Sequence, residues 1–415
     1  MNAVGIDVSK GKSMVAIVQP FGVVVAEPFE VLHNAEELKE LVERLKLLSG
    51  EIKVVMEYTG AYYEPIANAL HNAGIFVSVV NPLLINDYGT NRVRKVKTDK
   101  KDAFKLAGFA LDKWLELREY IPVDEIRKTL KIINRQYDQY NKILVMQKNN
   151  LIALLDSFFP NANTLFSSPR RESDGHEKWI DFVIKFPHID SIAKLPLSAF
   201  KSKYQSWCKK NHYNYSEAKA AEIHAYSKTQ LSSLPMTDSV IKIIIESAKL
   251  LNSTFEVLNT LRNEMDKLSS QLPEYKTVMN LYGVGKVFCS QLIAEIGDVR
   301  HLERSKSIIA LAGIDPPPYQ SGKFDTRSRS ISKRGSPAIR KTLFQIMQIY
   351  LQKQPADEPV YQFLDKKRSE GKPYKVYMIA AAHKFLRIYY ARVMQALTYT
   401  NFKPPYRQIE QNMIY

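Results

Sequence analysis

The chain has 415 residues, 45% of them hydrophobic and 25% charged, and a net charge of +16. It is long enough for a substantial core divided among two or three domains, and it lacks the run of about 18 apolar residues that a membrane span requires. The charge argues for a polyanionic partner, because each phosphate met by Lys or Arg releases a condensed counterion, with a basic solvated surface that has no dedicated partner as the alternative. The two cysteines, Cys208 and Cys289, lie too far apart in sequence for a metal-ligand spacing.

Residues 2–158 alternate between strand and helix patterns. Ala3 to Ile6 is a short apolar run ending in Asp7; Met14–Val18 and Val23–Ala26 follow, with Pro20, Phe21 and Gly22 as the turn. Asn34 is a helix N-cap, and Glu37 three residues on completes a capping-box pattern. Leu38, Leu41, Leu45 and Leu48 line the helix behind it. Ile52–Met56 is a buried strand that delivers Glu57; a helix near 62–73 and a strand at Phe76–Val80 complete the set. Three strands, helix, strand, helix, strand is the order of an RNase H-like α/β domain.

A basic segment follows, with Arg92, Arg94, Lys95, Lys97, Lys100, Lys101 and Lys105, and then a helix through Ala103, Leu106, Ala107 and Phe109. From Leu130 the spacing becomes heptad-like: Leu130, Ile133, Tyr137, Tyr140, Leu144, Leu151, Leu154 and Phe158, interrupted by Gln147. Ile244, Leu251, Leu258, Met265 and Leu272 recur at seven-residue spacing. Both stretches fit long helices, paired within the chain, joined between subunits as a coiled coil, or packed in a bundle. Between them, 160–237 has the aromatic content of a small helical insertion. The expected domains are 1–125, the long helices 126–159 and 238–272 around the insertion 160–237, a mainly α domain at 273–400 and a tail at 401–415.

In the last domain, Leu281-Tyr282-Gly283-Val284-Gly285-Lys286 before a helix ending at Gly297-Asp298 has the pattern of a helix-hairpin-helix. Such a turn either offers backbone N–H groups to a phosphate or is merely a tight connection before a helix. It is not a Walker A loop, since Asn280 stands where a glycine is needed and Val287 follows the lysine.

Asp7, Glu57, Asp99 and Asp102 come from separate elements, the last two spaced to share one helix face. Two Mg²⁺ ions held by such a set would activate an attacking oxygen and stabilise a leaving one. Singly, each is also explained as a strand-end polar residue or as a helix-start acid favoured by the dipole. Ser321 lies between Pro316-Pro317-Pro318-Tyr319 and Gly322-Lys323, with Arg327, Arg329, Lys333, Arg334, Arg340 and Lys341 downstream. In such a basic loop its hydroxyl is either a phosphate hydrogen-bond donor or a nucleophile.

These motifs together resemble the insertion-sequence transposases that join an N-terminal RuvC-like DEDD domain to a C-terminal serine-bearing domain. This is the bridge-RNA-guided recombinase family, with the pilin-gene DNA invertases as relatives. The resemblance rests on Asp7-Val-Ser-Lys, Glu57-x-Thr-Gly, Lys97-Thr-Asp-x-x-Asp102-Ala, Gly283-Val-Gly, Glu295-Ile-Gly-Asp, Ala312-Gly-Ile-x-Pro, Gln320-Ser-Gly-Lys and Ile331-Ser-Lys-Arg-Gly. It covers about residues 2–158 and 273–400.

The resemblance implies that Asp7, Glu57, Asp99 and Asp102 bind Mg²⁺ (or Mn²⁺) and that Ser321 forms a covalent phosphoserine with DNA. It further implies a homo-oligomer, a tetramer of two dimers, in which one subunit's carboxylate site meets another's serine domain. A noncoding bridge RNA would pair with donor and target DNA. Arg92, Arg94, Lys95, Lys97, Gly283, Gly285, Lys286, Lys323, Arg327, Arg329, Lys333, Arg334 and Arg340 are the expected nucleic-acid contacts. With no charged-then-apolar leader before the first strand, the expected location is cytoplasmic, at the nucleoid. The competing readings are a metal-dependent, structure-selective nuclease of the Holliday-junction-resolvase kind and a non-catalytic nucleic-acid-binding protein.

Overall fold

The computed structural model describes residues 1–88, 98–316, 320–321, 324–325 and 330–399. The expected contacts Arg92, Arg94, Lys95, Lys97, Lys323, Arg327 and Arg329, and the tail 401–415, lie outside the described residues. The chain divides into two compact units, Met1–Val123 and Asp124–Tyr415. No helix among the described residues is long and apolar enough to cross a membrane.

The first unit is built on a five-stranded sheet. Its elements run β1 (Asn2–Ser9), β2 (Lys12–Gln19), β3 (Val23–Leu32), α1 (Ala35–Lys46), β4 (Ile52–Glu57), α2 (Glu64–Asn72), β5 (Phe76–Val80), α3 (Pro82–Asp87) and α4 (Asp99–Asp112). The sheet order is β3-β2-β1-β4-β5, with antiparallel pairing of β1, β2 and β3, and β4 and β5 parallel to β1. This is the expected mixed sheet of an RNase H-like fold.

Side-chain alternation along the strands assigns two faces. Val4, Ile6, Val8, Val54 and Met56 join the core under α1 and α2. Ala3 and Val55 join the core formed with Leu106, Ala107 and Ala110 of α4. Asn34 caps α1 as expected, accepting from Glu37 N at 2.8 Å. The Glu37 carboxylate, however, accepts from Leu32 N at 2.6 Å, so it secures the end of β3.

The second unit is mostly helical: α5 (Glu125–Phe158), α6 (Lys178–Lys185), α7 (Asp190–Ala193), α8 (Leu197–Lys210), α9 (Glu217–Thr229), α10 (Asp238–Ser269), α11 (Tyr275–Met279), α12 (Lys286–Ile296), α13 (Ser305–Ala312), the hairpin β6 (Gln320–Ser321) and β7 (Phe324–Asp325), α14 (Pro337–Lys353), α15 (Pro359–Ser369) and α16 (Tyr374–Tyr399).

The long α5 and α10 pack antiparallel within the chain and bridge two cores. Leu130, Met265 and Leu272 belong to the core shared with α11–α16. Leu144, Leu151, Ile244 and Leu251 belong to the core closed by the aromatic residues of α6 and α8. Gln147, the break in the apolar pattern, accepts from the Thr254 hydroxyl at 2.8 Å. A lone polar pair of this kind fixes the register of two long helices.

Candidate active site

Glu57 ends β4, and Asp7 lies on the neighbouring β1 two residues before that strand's end. The β1–β4 register ends at Ile6–Met56, so the next residue on each strand is a carboxylate. Asp7 alternates with Ile6 and Glu57 with Met56, so both belong to the sheet face that α4 covers. That helix comes very close. A Cβ on Gly5 would fall 2.1 Å from Ala103 O and 2.3 Å from Ala107 N, so only glycine fits beneath it.

The direction of α4 brings its first turn to the same end of the sheet. Beyond its C-terminus, Trp114 O accepts from Lys53 Nζ at 2.8 Å near the start of β4. Gly5 lies under its middle. At the other end Asp99 acts on Lys12, in the β1–β2 hairpin. The Lys12 ammonium is raised above its ordinary value first by its 2.7 Å hydrogen bond to Glu30 and by that charge; slight desolvation opposes this, and Asp99 adds a smaller pull. Thr98 caps the helix, with Lys101 N donating to its hydroxyl at 3.4 Å. Asp99 and Asp102 thus lie in the first turn, where the helix dipole favours negative charge. They precede the sheet-facing Ala103 and Leu106 by one turn.

The donor chemistry of this end suits a hard divalent cation, which takes carboxylate oxygens. Thr59 Oγ1, two residues beyond Glu57, is buried without a hydrogen-bond partner among the described residues. Among the described residues, no three His, Cys, Asp or Glu side chains stand close enough to hold one ion, so Asp7, Glu57, Asp99 and Asp102 are not gathered into a single ligand set.

Ser321 ends β6 and pairs with Phe324 across the two-stranded hairpin. The segments on either side of that hairpin are fastened together. Ser332 N donates to Asp315 O at 2.8 Å, Lys333 N to Gly313 O at 3.0 Å and Ser336 N to Leu311 O at 2.7 Å. The Ser332 hydroxyl adds a 2.7 Å bond to the Asp315 carboxylate. Gly313, at φ +63°, lies against Gly335: a Cβ on Gly335 would be 2.2 Å from Leu311 O and 2.4 Å from Gly313 N.

Arg340 closes this clamp by donating from Nη1 to Ala312 O and Gly335 O, both at 2.9 Å. Part of its guanidinium is therefore structural. His383 of α16 donates from Nε2 to Ile314 O at 2.9 Å, and burial holds its pKa below the ordinary value. Lys333 and Arg334 are exposed at the surface of the clamp.

Glu295, 7% exposed, ties the clamp to α5. It accepts from Asn134 at 3.0 Å and from the Ser336 hydroxyl at 3.2 Å. Burial pushes the nearby Lys131 ammonium down, with Glu295 partly offsetting it. None of the clamping roles of Glu295, Arg340 and Gly335 is evident from spacing alone; the two glycines within ordered motifs are the one trace of it.

The Gly283 turn joins α11 to α12, and Gly283 has φ +75° and packs on Ile346 and Tyr350. Gly285 is the N-cap of α12, with no side-chain cap and open space around it. Lys286, in the first turn, is exposed and 3.4 Å from Asp266.

Comparison with known proteins gives this arrangement its context. Residues 4–160 match the DEDD transposase domain of the IS110 type, and residues 275–362 match the transposase IS116/IS110/IS902 family; together they span more than half of the chain. The pilin gene-inverting protein of Moraxella lacunata is 23% identical over 348 residues, 84% of this chain and 81% of that protein, and that of Moraxella bovis matches to the same extent. The transposase for insertion sequence element IS1533 of Leptospira borgpetersenii is 29% identical over 122 residues, 29% of this chain and 34% of that one. Among solved structures, T. thermophilus RuvC in complex with a Holliday junction substrate is similar at 12% identity over 29% of this chain and 99% of that chain, with a TM-score of 0.22.

The chain is an enzyme of the transposase/recombinase class. It carries both domains of the IS110-family transposases.

Proposed function

We propose that this transposase cleaves and rejoins DNA through a covalent phosphoserine at Ser321, with Asp7, Glu57, Asp99 and Asp102 as its metal-binding carboxylates. What supports this reading is that β1 and β4 carry Asp7 and Glu57 on the sheet face that α4 packs against, while Asp99 and Asp102 lie in the first turn of α4. Mg²⁺ or Mn²⁺, when bound there, would supply Lewis-acid stabilisation of developing oxygen charge.

The Ser321 hydroxyl attacks a DNA phosphodiester, giving up its proton as one P–O bond forms and one breaks. A DNA hydroxyl leaves. Attack by a second DNA hydroxyl releases Ser321, so strands are rejoined without nucleotide hydrolysis. The clamp at Gly313, Gly335 and Arg340 fixes where the Ser321 hairpin leaves and re-enters the helical core. Gly285 and Lys286 offer the open end of α12 to a phosphate in the manner of a helix-hairpin-helix. A noncoding bridge RNA would read donor and target sequence by pairing, in a tetramer where one subunit's carboxylates serve another's serine. The net charge of +16 suits a protein that holds nucleic-acid backbones.

The test is to express the chain with its native flanking DNA, denature the product and look for DNA covalently attached to the protein. An adduct in the wild type that is absent from Ser321→Ala supports the reading. Metal-dependent nicks in both, with no adduct in either, would replace it with a hydrolytic nuclease.

A further inference from the structure

In the second unit, α5, α12 and α14 border an open groove of about 500 Å³. Its floor holds Gln291, which is 7% exposed. The Gln291 carbonyl oxygen accepts from the Thr342 hydroxyl at 3.3 Å, and its Nε2 has no partner among the described residues. An amide whose oxygen is engaged and whose nitrogen is open to a groove offers a hydrogen-bond donor there. Asn141 stands beside it with the opposite polarity: its Nδ2 is used on Tyr137 O at 3.1 Å, which leaves Oδ1 as an acceptor.

The walls are flat or apolar. Phe288 and Tyr137, both half-buried and packed against the helical core, line the groove. Two cations stand at its rim. Lys341 is half-exposed and 2.9 Å from Asp138, and Lys142 is exposed. Rings to stack on, an amide donor with an acceptor beside it, and lysines at the edge are the parts that recognise an unpaired nucleotide.

We propose that this groove takes one unstacked nucleotide of a single strand, its base against Phe288 or Tyr137 with Gln291 donating to the base edge, and its flanking phosphates on Lys142 and Lys341. This deepens the nucleic-acid reading of the protein and rests on it. A strand-exchanging enzyme must hold a strand that has left its duplex, and such a site would keep that strand from re-pairing.

The test uses the full chain and an oligothymidylate of about 12 nucleotides, within the span of single-strand-binding surfaces, carrying one 5-iodouracil. Photocrosslinks should map to the peptides holding Tyr137 or Phe288. Lys142→Ala combined with Lys341→Ala should weaken oligothymidylate binding by about tenfold and flatten its salt dependence by about 0.7 per lost phosphate contact. Binding to a duplex of the same length should change by less than about twofold, since the groove admits only an unpaired base.

Gln291→Leu should weaken the single strand alone. Asn141→Ala, on the half-exposed face of α5, repeats the test should the buried substitution unfold the protein. Competition with oligouridylate tells RNA from DNA as the preferred strand. Crosslinks elsewhere, or equal losses for single strand and duplex, would overturn the groove while leaving the transposase reading intact. A wild-type protein that binds neither probe would remove both. Loss of the Ser321 adduct with groove crosslinks retained would remove the phosphoserine alone.

Discussion

Asp7 and Glu57 stand side by side because β1 and β4 are parallel and in register up to Ile6 and Met56. Neither carboxylate needs a loop to place it; the sheet does so. Two acids on adjacent strands repel one another, and a bound cation or a hydrogen-bond donor relieves that cost. Asp7→Asn and Glu57→Gln keep the shape and remove the charge. Each should lower strand cleavage by about 100-fold or more, the scale on which a lost electrostatic stabiliser acts. Salt-sensitive binding to duplex DNA should persist. Cleavage at wild-type rate in either variant, measured on supercoiled plasmid carrying the element's ends, would dismiss the carboxylate site.

The contact between Gly5 and α4 makes a second, independent test of how Asp99 and Asp102 are placed. A methyl at position 5 must displace the backbone at Ala103 and Ala107, because no flexible side chain lies in its path. Gly5→Ala should destabilise the first unit by about 3 kcal/mol, the upper range for overpacking. Cleavage should fall further than stability accounts for, since the displaced helix carries two of the four carboxylates. A thermal melt and a nicking assay at a temperature where the variant is fully folded separate the two effects. An unchanged melting temperature would show that α4 does not lie where this packing puts it.

The strand and helix order of residues 2–80 is legible because β1, β2, β4 and β5 carry apolar runs and Asn34 announces α1, whereas β3 runs on past the expected Val23–Ala26 to Leu32 through a stretch broken by Glu27, Pro28 and Glu30. The pairing of α5 with α10 was not decidable from periodicity: a heptad pattern serves an intrachain pair and a subunit interface equally, and the choice appears only in the shared cores and in Gln147 meeting Thr254. The candidate site was legible as residue types, not as geometry. Nothing local to Asp99 or Asp102 reveals that Gly5 admits their helix. Likewise Arg340 reads as one more cation in a basic run, while two carbonyls already occupy part of its guanidinium.

The clamp around Gly335 makes a third prediction. Gly335→Ala would place a methyl 2.2 Å from Leu311 O and 2.4 Å from Gly313 N, contacts that only a shift of the chain can relieve. Because Ser321 lies between the two clamped segments, the shift should be felt there first. Formation of the protein–DNA adduct should fall by about 100-fold, the cost of misplacing a reacting group by about 1 Å. Arg340→Met, which removes the bonds to Ala312 O and Gly335 O but adds no bulk, should show a milder loss in the same direction. Adduct formation unaffected in both would mean that the clamp does not position the hairpin.

The last prediction concerns pH and the helical insertion. His176 lies among carboxylates: Nδ1 is 3.2 Å from Asp181 Oδ1 and 3.7 Å from Asp174 Oδ2, and Nε2 is 3.2 Å from Glu256 Oε1. Arg171 and the Tyr213 hydroxyl also face this cluster through Asp181. Burial opposes the charged imidazole, but the hydrogen bond and charge of Asp181, with Asp174, outweigh it and raise its pKa above the ordinary 6.5. Burial likewise opposes ionised Asp181, and its bonds from His176 and Tyr213 hold it below the ordinary 3.8. The signs follow by linkage. A raised histidine stabilises the fold fully below about pH 6.5 and less as pH rises through its folded value, whereas a lowered aspartate stabilises it above about pH 4 and less as pH falls. The contribution of this pair to stability is therefore greatest between those limits and declines toward neutral and alkaline pH. The melting temperature of the wild type should exceed that of His176→Gln by most at mildly acid pH, and the difference should shrink as pH rises. Parallel profiles for the two proteins would mean that His176 does not titrate with folding.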